Sequence, residues 1–96
     1  MAETHGHVAG SRNEHKVIFY GLSTCIWCRR TREFLEDQGV TFDFHYVDLL
    51  EGAEREEAIA QVRRWNSAVS FPTIVVDGET CVVGFRPEEL QRVLGL

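Results

Sequence analysis

Residues Lys16-Val17-Ile18-Phe19-Tyr20-Gly21-Leu22-Ser23-Thr24-Cys25-Ile26-Trp27-Cys28 hold the transition that decides the fold. The run from Lys16 to Tyr20 is apolar, β-branched and aromatic without polar alternation, the pattern of a strand covered on both faces, and Gly21 closes it. Ser23 and Thr24 then supply helix N-cap chemistry, and good helix formers continue from Cys25 to about Gln38, where Gly39 ends them. Phe34 and Leu35 share a helix face with Trp27 or Thr31. The stretch reads as a buried strand running into a helix that opens on a cysteine.

Downstream, Phe42, Phe44 and Tyr46 alternate with Asp43 and His45 before Val47-Asp48, which predicts a second strand with His45 turned to the surface. It lies one crossover away, so its pairing with the first strand is parallel. Glu51, Glu54, Glu56 and Glu57 open the next periodic segment and Arg63 and Arg64 close it, the order a helix dipole favours. Ala58, Val62 and Trp65 form its apolar stripe, and Asn66-Ser67 breaks it. Phe71 to Val76 predicts a strand opened by proline, Asp77-Gly78 a hairpin turn, and Thr80 to Val83 the antiparallel return. Pro87 suits the first position of a last helix, with Glu88 and Glu89 in its first turn and Leu90, Val93 and Leu94 on one side. The order β-α-β-α-β-β-α implies an α/β domain: a four-stranded mixed sheet with helices on both faces.

Upstream, residues 1–15 carry three histidines, two glycines and almost no aliphatic side chains, so they read as a disordered tail before a domain at 16–96. His5 and His7 lack a preorganised third ligand and read as solvated. At 96 residues and 44% hydrophobic, the chain has room for one core that needs no staple, so its three cysteines require another explanation. A net charge of -5 argues against nucleic acid or anionic membrane as a partner, and the apolar runs are strand-sized. No secretory h-region stands in the first fifteen residues, which predicts a cytoplasmic protein, where a Cys-x-x-Cys pair points to catalysis or metal rather than to a structural disulfide.

At the start of a helix, Cys25 meets unpaired backbone N–H groups and the positive end of the dipole, which favour a thiolate. Cys28, one turn further in, is shielded, yet the two-residue spacing brings it within bonding reach. Cys25 is therefore the expected nucleophile and Cys28 the expected resolving thiol. Ile26 and Trp27 offer an apolar rim to a protein disulfide. Arg29, Arg30 and Arg32 follow with no acid between Leu22 and Arg32, so they suit thiolate stabilisation and an acidic partner. Cys81, alone on a strand, reads as a small hydrophobe. A different use of the pair is metal: two thiolates supply half of a zinc site, or, with thiols from a second chain, part of an iron–sulfur bridge. Within one chain only Cys81 and scattered histidines remain, none at ligand-like spacing. No resident metal or cofactor is expected beyond a Cys25–Cys28 disulfide.

Cys25-Ile26-Trp27-Cys28 together with Phe71-Pro72 resembles the thioredoxin superfamily and, within it, the glutaredoxins, across residues 16–96. The resemblance implies a thioredoxin-like fold, a cis-proline at Pro72 opposite the cysteines, a substrate-binding backbone edge at Phe71, and Tyr20 near the active edge. Gly84-Phe85-Arg86-Pro87 is similar to the Ser-Gly-Phe-Arg-Pro stretch of the NrdH-type ribonucleotide-reductase redoxins, which take electrons from thioredoxin reductase. Tyr20, Phe71, Pro72, Gly84 and Phe85 are the substrate-binding residues so implied, and Trp27 joins them as part of the apolar rim. Where typical glutaredoxins hold glutathione, Leu22 replaces an upstream base and Phe85-Arg86-Pro87 replaces a small-residue loop with Asp. The expected activity is dithiol reduction of protein or glutathione-mixed disulfides by a monomer, reset by a thioredoxin-reductase-like donor or by glutathione as co-substrate.

Overall fold

The computed structural model describes residues 3–96. Its elements are β1 (His5–Val8), β2 (Val17–Gly21), α1 (Ile26–Asp37), β3 (Phe42–Tyr46), α2 (Gly52–Trp65), β4 (Thr73–Val76), β5 (Thr80–Val83) and α3 (Pro87–Leu94). The strands form one five-stranded sheet in the order β1-β3-β2-β4-β5. β3 runs parallel to β2 with Phe19 opposite Phe44, while β4 and β5 are antiparallel to their neighbours. The sheet is mixed as the sequence predicts, with one strand more.

That extra strand corrects the reading of residues 1–15 as disordered and the count of four strands. β1 pairs antiparallel with β3, His5 opposite His45 and Val8 opposite Phe42. Further along the same segment, Arg12 N–H donates to Gly39 O and Thr41 N–H to Arg12 O, each at 2.8 Å. The backbone does what the side chains do not announce: an edge strand can be held by ladder hydrogen bonds while much of its surface stays wet. Met1 and Ala2 lie outside the described residues.

The helices divide between the faces of the sheet. Leu35 of α1 and Leu90 and Leu94 of α3 pack with Phe19, Ile74 and Val82 on one face, while Ala58 and Val62 of α2 pack with Tyr20, Val47 and Val75 on the other. β2 and β4 are therefore covered on both sides, which explains their unbroken apolar sequence. The hairpin follows its dipeptide: Asp77 and Gly78 both take positive φ, 56° and 63°. Asp77 also accepts from Lys16 N–H at 2.8 Å and pairs with His15 Nδ1, tying the hairpin to the start of β2. α3 begins on Pro87 and ends at a left-handed Gly95.

Candidate active site

The helix N-cap is Cys25 itself, not Ser23 or Thr24: its Sγ accepts from Cys28 N–H at 3.3 Å. Ser23 is diverted to the end of β3, where its N–H donates to Asp48 Oδ1 at 2.9 Å and its hydroxyl donates to Oδ2. The turn between them is closed by Cys25 N–H on Leu22 O at 3.2 Å, and Leu22 N–H points at Cys28 Sγ at 3.4 Å. Gly21 lets this turn sit low. A Cβ there would lie 2.7 Å from the Phe19 ring and 3.3 Å from Cys28 Cβ.

The two thiols differ in the way their positions dictate. Cys25 is half-buried and Cys28 is 1% exposed, both reduced. Burial pushes the Cys28 thiol up to about 12, reinforced by its hydrogen bond to Cys25 and by the Asp48 charge, while Leu22 N–H acts the other way. An accessible sulfur bonded to a helix N–H, with a protonated thiol beneath it, can attack a disulfide and then be displaced from the adduct.

Around the pair, Ile26 and Trp27 are 51% and 54% exposed, so Trp27 turns outward rather than into the core. Phe85 stacks on Trp27 with centroids 6.2 Å apart and meets Phe34 edge-on at 6.4 Å. Arg30 lies over the indole, 5.6 Å from its centre. The Phe71–Pro72 peptide is cis, Pro72 is buried, and Gly84 N–H donates to Pro72 O at 2.8 Å. The ladder with β2 ends at Tyr20–Thr73, which leaves Phe71 two residues beyond the last paired residues. Gly84, at φ 86°, turns the chain from β5 toward Phe85.

Tyr20 does not join this group. It is 6% exposed and its ring stacks on His45 at 5.3 Å, within a groove of about 670 Å³ between β1, β3 and α2. Successive strand residues point to opposite faces, so Tyr20 lies across the sheet from Phe19, whose packing cluster contains Cys28. His45 is likewise not a free surface residue: burial, followed by the facing His5, lowers its pKa. Cys81 is half-buried and raised by burial. Asp48, absent from the sequence-derived site, reaches the cysteine turn from far along the chain, and no local spacing marks it. Among the described residues no three His, Cys, Asp or Glu side chains gather as metal ligands, and no helix is long and apolar enough to cross a membrane.

The sheet order, the two-sided helices, the cis-proline and the vicinal thiols at a helix start define a thioredoxin-like protein built for thiol redox chemistry. Comparison narrows the class. The glutaredoxin family model matches residues 17–81. The glutaredoxin of Methanosarcina mazei Go1 is similar over 98% of this chain and 90% of its own, at 50% identity and a TM-score of 0.92. Methanosarcina acetivorans methanoredoxin matches over 95% of this chain and 96% of its own, at 43% identity and a TM-score of 0.91. Escherichia coli NrdH-redoxin shares the fold, with a TM-score of 0.66 over 81% of this chain and 93% of its own at 24% identity. The chain belongs to the glutaredoxin family.

Proposed function

We propose that this redoxin reduces disulfides in protein substrates by a dithiol mechanism, in a reducing compartment such as the cytoplasm. The observation that carries the reading is the arrangement of unequal sulfurs, a partly buried Cys25 whose Sγ is held by Cys28 N–H beside a fully buried Cys28. The Cys25 thiolate attacks one sulfur of the substrate disulfide, and the other sulfur leaves as a thiolate that takes a proton from water. Cys28 loses its proton to water and, as a thiolate, attacks Cys25 Sγ, expelling the second substrate sulfur as a thiolate that is protonated in turn. Two electrons have passed to the substrate, and the chain holds a Cys25–Cys28 disulfide.

The surroundings favour a polypeptide over a small thiol. Ile26, Trp27 and Phe85 form an apolar platform beside Cys25, and Phe71 offers a backbone edge suited to an extended segment. The start of α3, where the family resemblance would seat a glutathione carboxylate, presents Pro87 without an N–H and then Glu88 and Glu89. Like charges there oppose the tripeptide. A flavoprotein reductase of the thioredoxin-reductase class is accordingly the preferred electron donor, with glutathione the slower one.

Two coupled NADPH assays test this, one through glutathione and its reductase and one through thioredoxin reductase. Faster turnover through the protein reductase is expected; turnover through glutathione alone reverses the donor assignment. Cys28→Ser should accumulate a substrate adduct on Cys25 and Cys25→Ser should not, and equal trapping by both would refute the assigned roles.

A further inference from the structure

Two chains of contacts meet at Ser23. On one side, both Asp48 carboxylate oxygens are turned to it, Oδ1 accepting from its N–H at 2.9 Å and Oδ2 from its hydroxyl. On the other, its neighbour Leu22 donates its N–H to Cys28 Sγ at 3.4 Å and accepts from Cys25 N–H at 3.2 Å. Leu22 N–H is the backbone donor that favours the Cys28 thiolate, the species that must form before the adduct can be resolved. Cys25 is held differently. Its Sγ is bonded by Cys28 N–H from within the same helix, a contact that does not depend on the turn.

We propose that Asp48 is a positioning residue for the resolving step: by clamping Ser23 it keeps the Leu22 N–H on Cys28 Sγ. This rests on the assignment of Cys25 as attacking thiol and Cys28 as resolving thiol. With its oxygens engaged by Ser23, the carboxylate acts through the turn rather than by taking the Cys28 proton. Two effects of one side chain oppose each other at Cys28: the clamp supplies a donor, and the negative charge resists a thiolate. Asparagine separates them. It retains an acceptor for Ser23 N–H, its amide can donate to the hydroxyl, and its charge is gone.

The magnitude follows from thiolate chemistry. If losing the donor raises the Cys28 pKa by about one unit, the thiolate fraction falls about tenfold, and the greater nucleophilicity of the more basic sulfur returns about threefold. Resolution should slow by about three- to fivefold.

The test uses the full chain in a Cys81→Ser background, mixed rapidly with substoichiometric dithiobis(nitrobenzoate). Attack by Cys25 releases one nitrothiophenolate and leaves the other on Cys25 as a mixed disulfide; Cys28 then releases the second and closes the protein disulfide. Asp48→Ala, which loses the clamp and the charge together, is expected to slow the second release by that factor relative to Asp48→Asn, which loses the charge alone and resolves at or above the parent rate, with the first release within about twofold in both. Equal resolution in Asp48→Ala and Asp48→Asn overturns the proposal. Resolution in Asp48→Asn slower than the parent also overturns it, because a base, not the clamp, would then be responsible. Should Asp48→Ala fail to fold, Ser23→Ala, which keeps the backbone bond and loses the hydroxyl, must slow the second release by a smaller factor, and no slowing refutes the clamp. Cys28→Ser reports on the underlying assignment separately: it must show the first release alone.

Discussion

Gly21→Ala is the sharpest probe of how the sheet seats its cysteine helix. The added methyl would stand 2.7 and 2.8 Å from two atoms of the Phe19 ring, inside any real carbon–carbon contact, and 3.3 Å from Cys28 Cβ. The ring cannot swing aside cheaply, because Phe19 is 0% exposed and meets Phe42 and Tyr46 edge-on at 6.4 and 6.2 Å. Overpacking of this kind costs about 1–3 kcal/mol, and the stiffer unfolded chain returns about 0.4–1 kcal/mol. A net loss of about 1–2 kcal/mol is expected, or about 5–15 °C in Tm for a domain of this size. Urea unfolding of the reduced protein measures the loss, and the reaction rate of Cys28 with a thiol reagent reports whether the start of α1 has lifted. A variant as stable as the parent, with Cys28 as protected as before, would refute the close-approach argument.

The buried thiol makes reduced-state stability pH-dependent. Cys28 is raised from an ordinary 9.0 to about 12, so the unfolded chain loses its proton first. Its contribution, full below about pH 9, should decline as pH rises toward 12. Thermal scans of the reduced protein against pH should show this decline, and Cys28→Ser should flatten it. His45 shifts in the opposite sense: its imidazole should titrate below the ordinary 6.5 by NMR, and a value at or above 6.5 would mean that burial against Tyr20 and His5 does not persist in solution. Trp27→Ala, at a side chain 54% exposed, should change stability by less than about 0.5 kcal/mol yet lower kcat/KM for a protein disulfide by about tenfold. An equal loss with a small aromatic disulfide would show that the indole acts on the thiols rather than on a protein partner.

Most of the layered core was legible because its signals are local. β2 and β4 announce two-sided burial by unbroken apolar runs, Asp77-Gly78 specifies its turn, and Pro87 and Gly95 bracket α3. β1 was not legible, since His5-Gly6-His7-Val8 has no apolar period and its stability comes from pairing with β3. The cap was misassigned for a related reason: Ser23 has capping chemistry, but Asp48, brought alongside by the fold, takes both of its donors. Tyr20 could have been placed from parity alone. One residue along a strand from Phe19, it must point to the opposite face.

The four residues of β1 also decide which strand borders the sheet. β1 occupies the side of β3 that lies away from β2, while short β5 forms the opposite border. A shortened protein starting at Lys16 would keep both thiols and most of the core, yet present Phe42 to Tyr46 with a row of unfilled N–H and C=O groups along its length. Such a border recruits another strand, and the nearest source in a concentrated solution is the same border of a second molecule. The N-terminal segment thus moves the open border of the sheet from the aromatic β3 out to four-residue β1, and dispensing with it is expected to make the chain stickier while leaving its cysteines chemically unchanged.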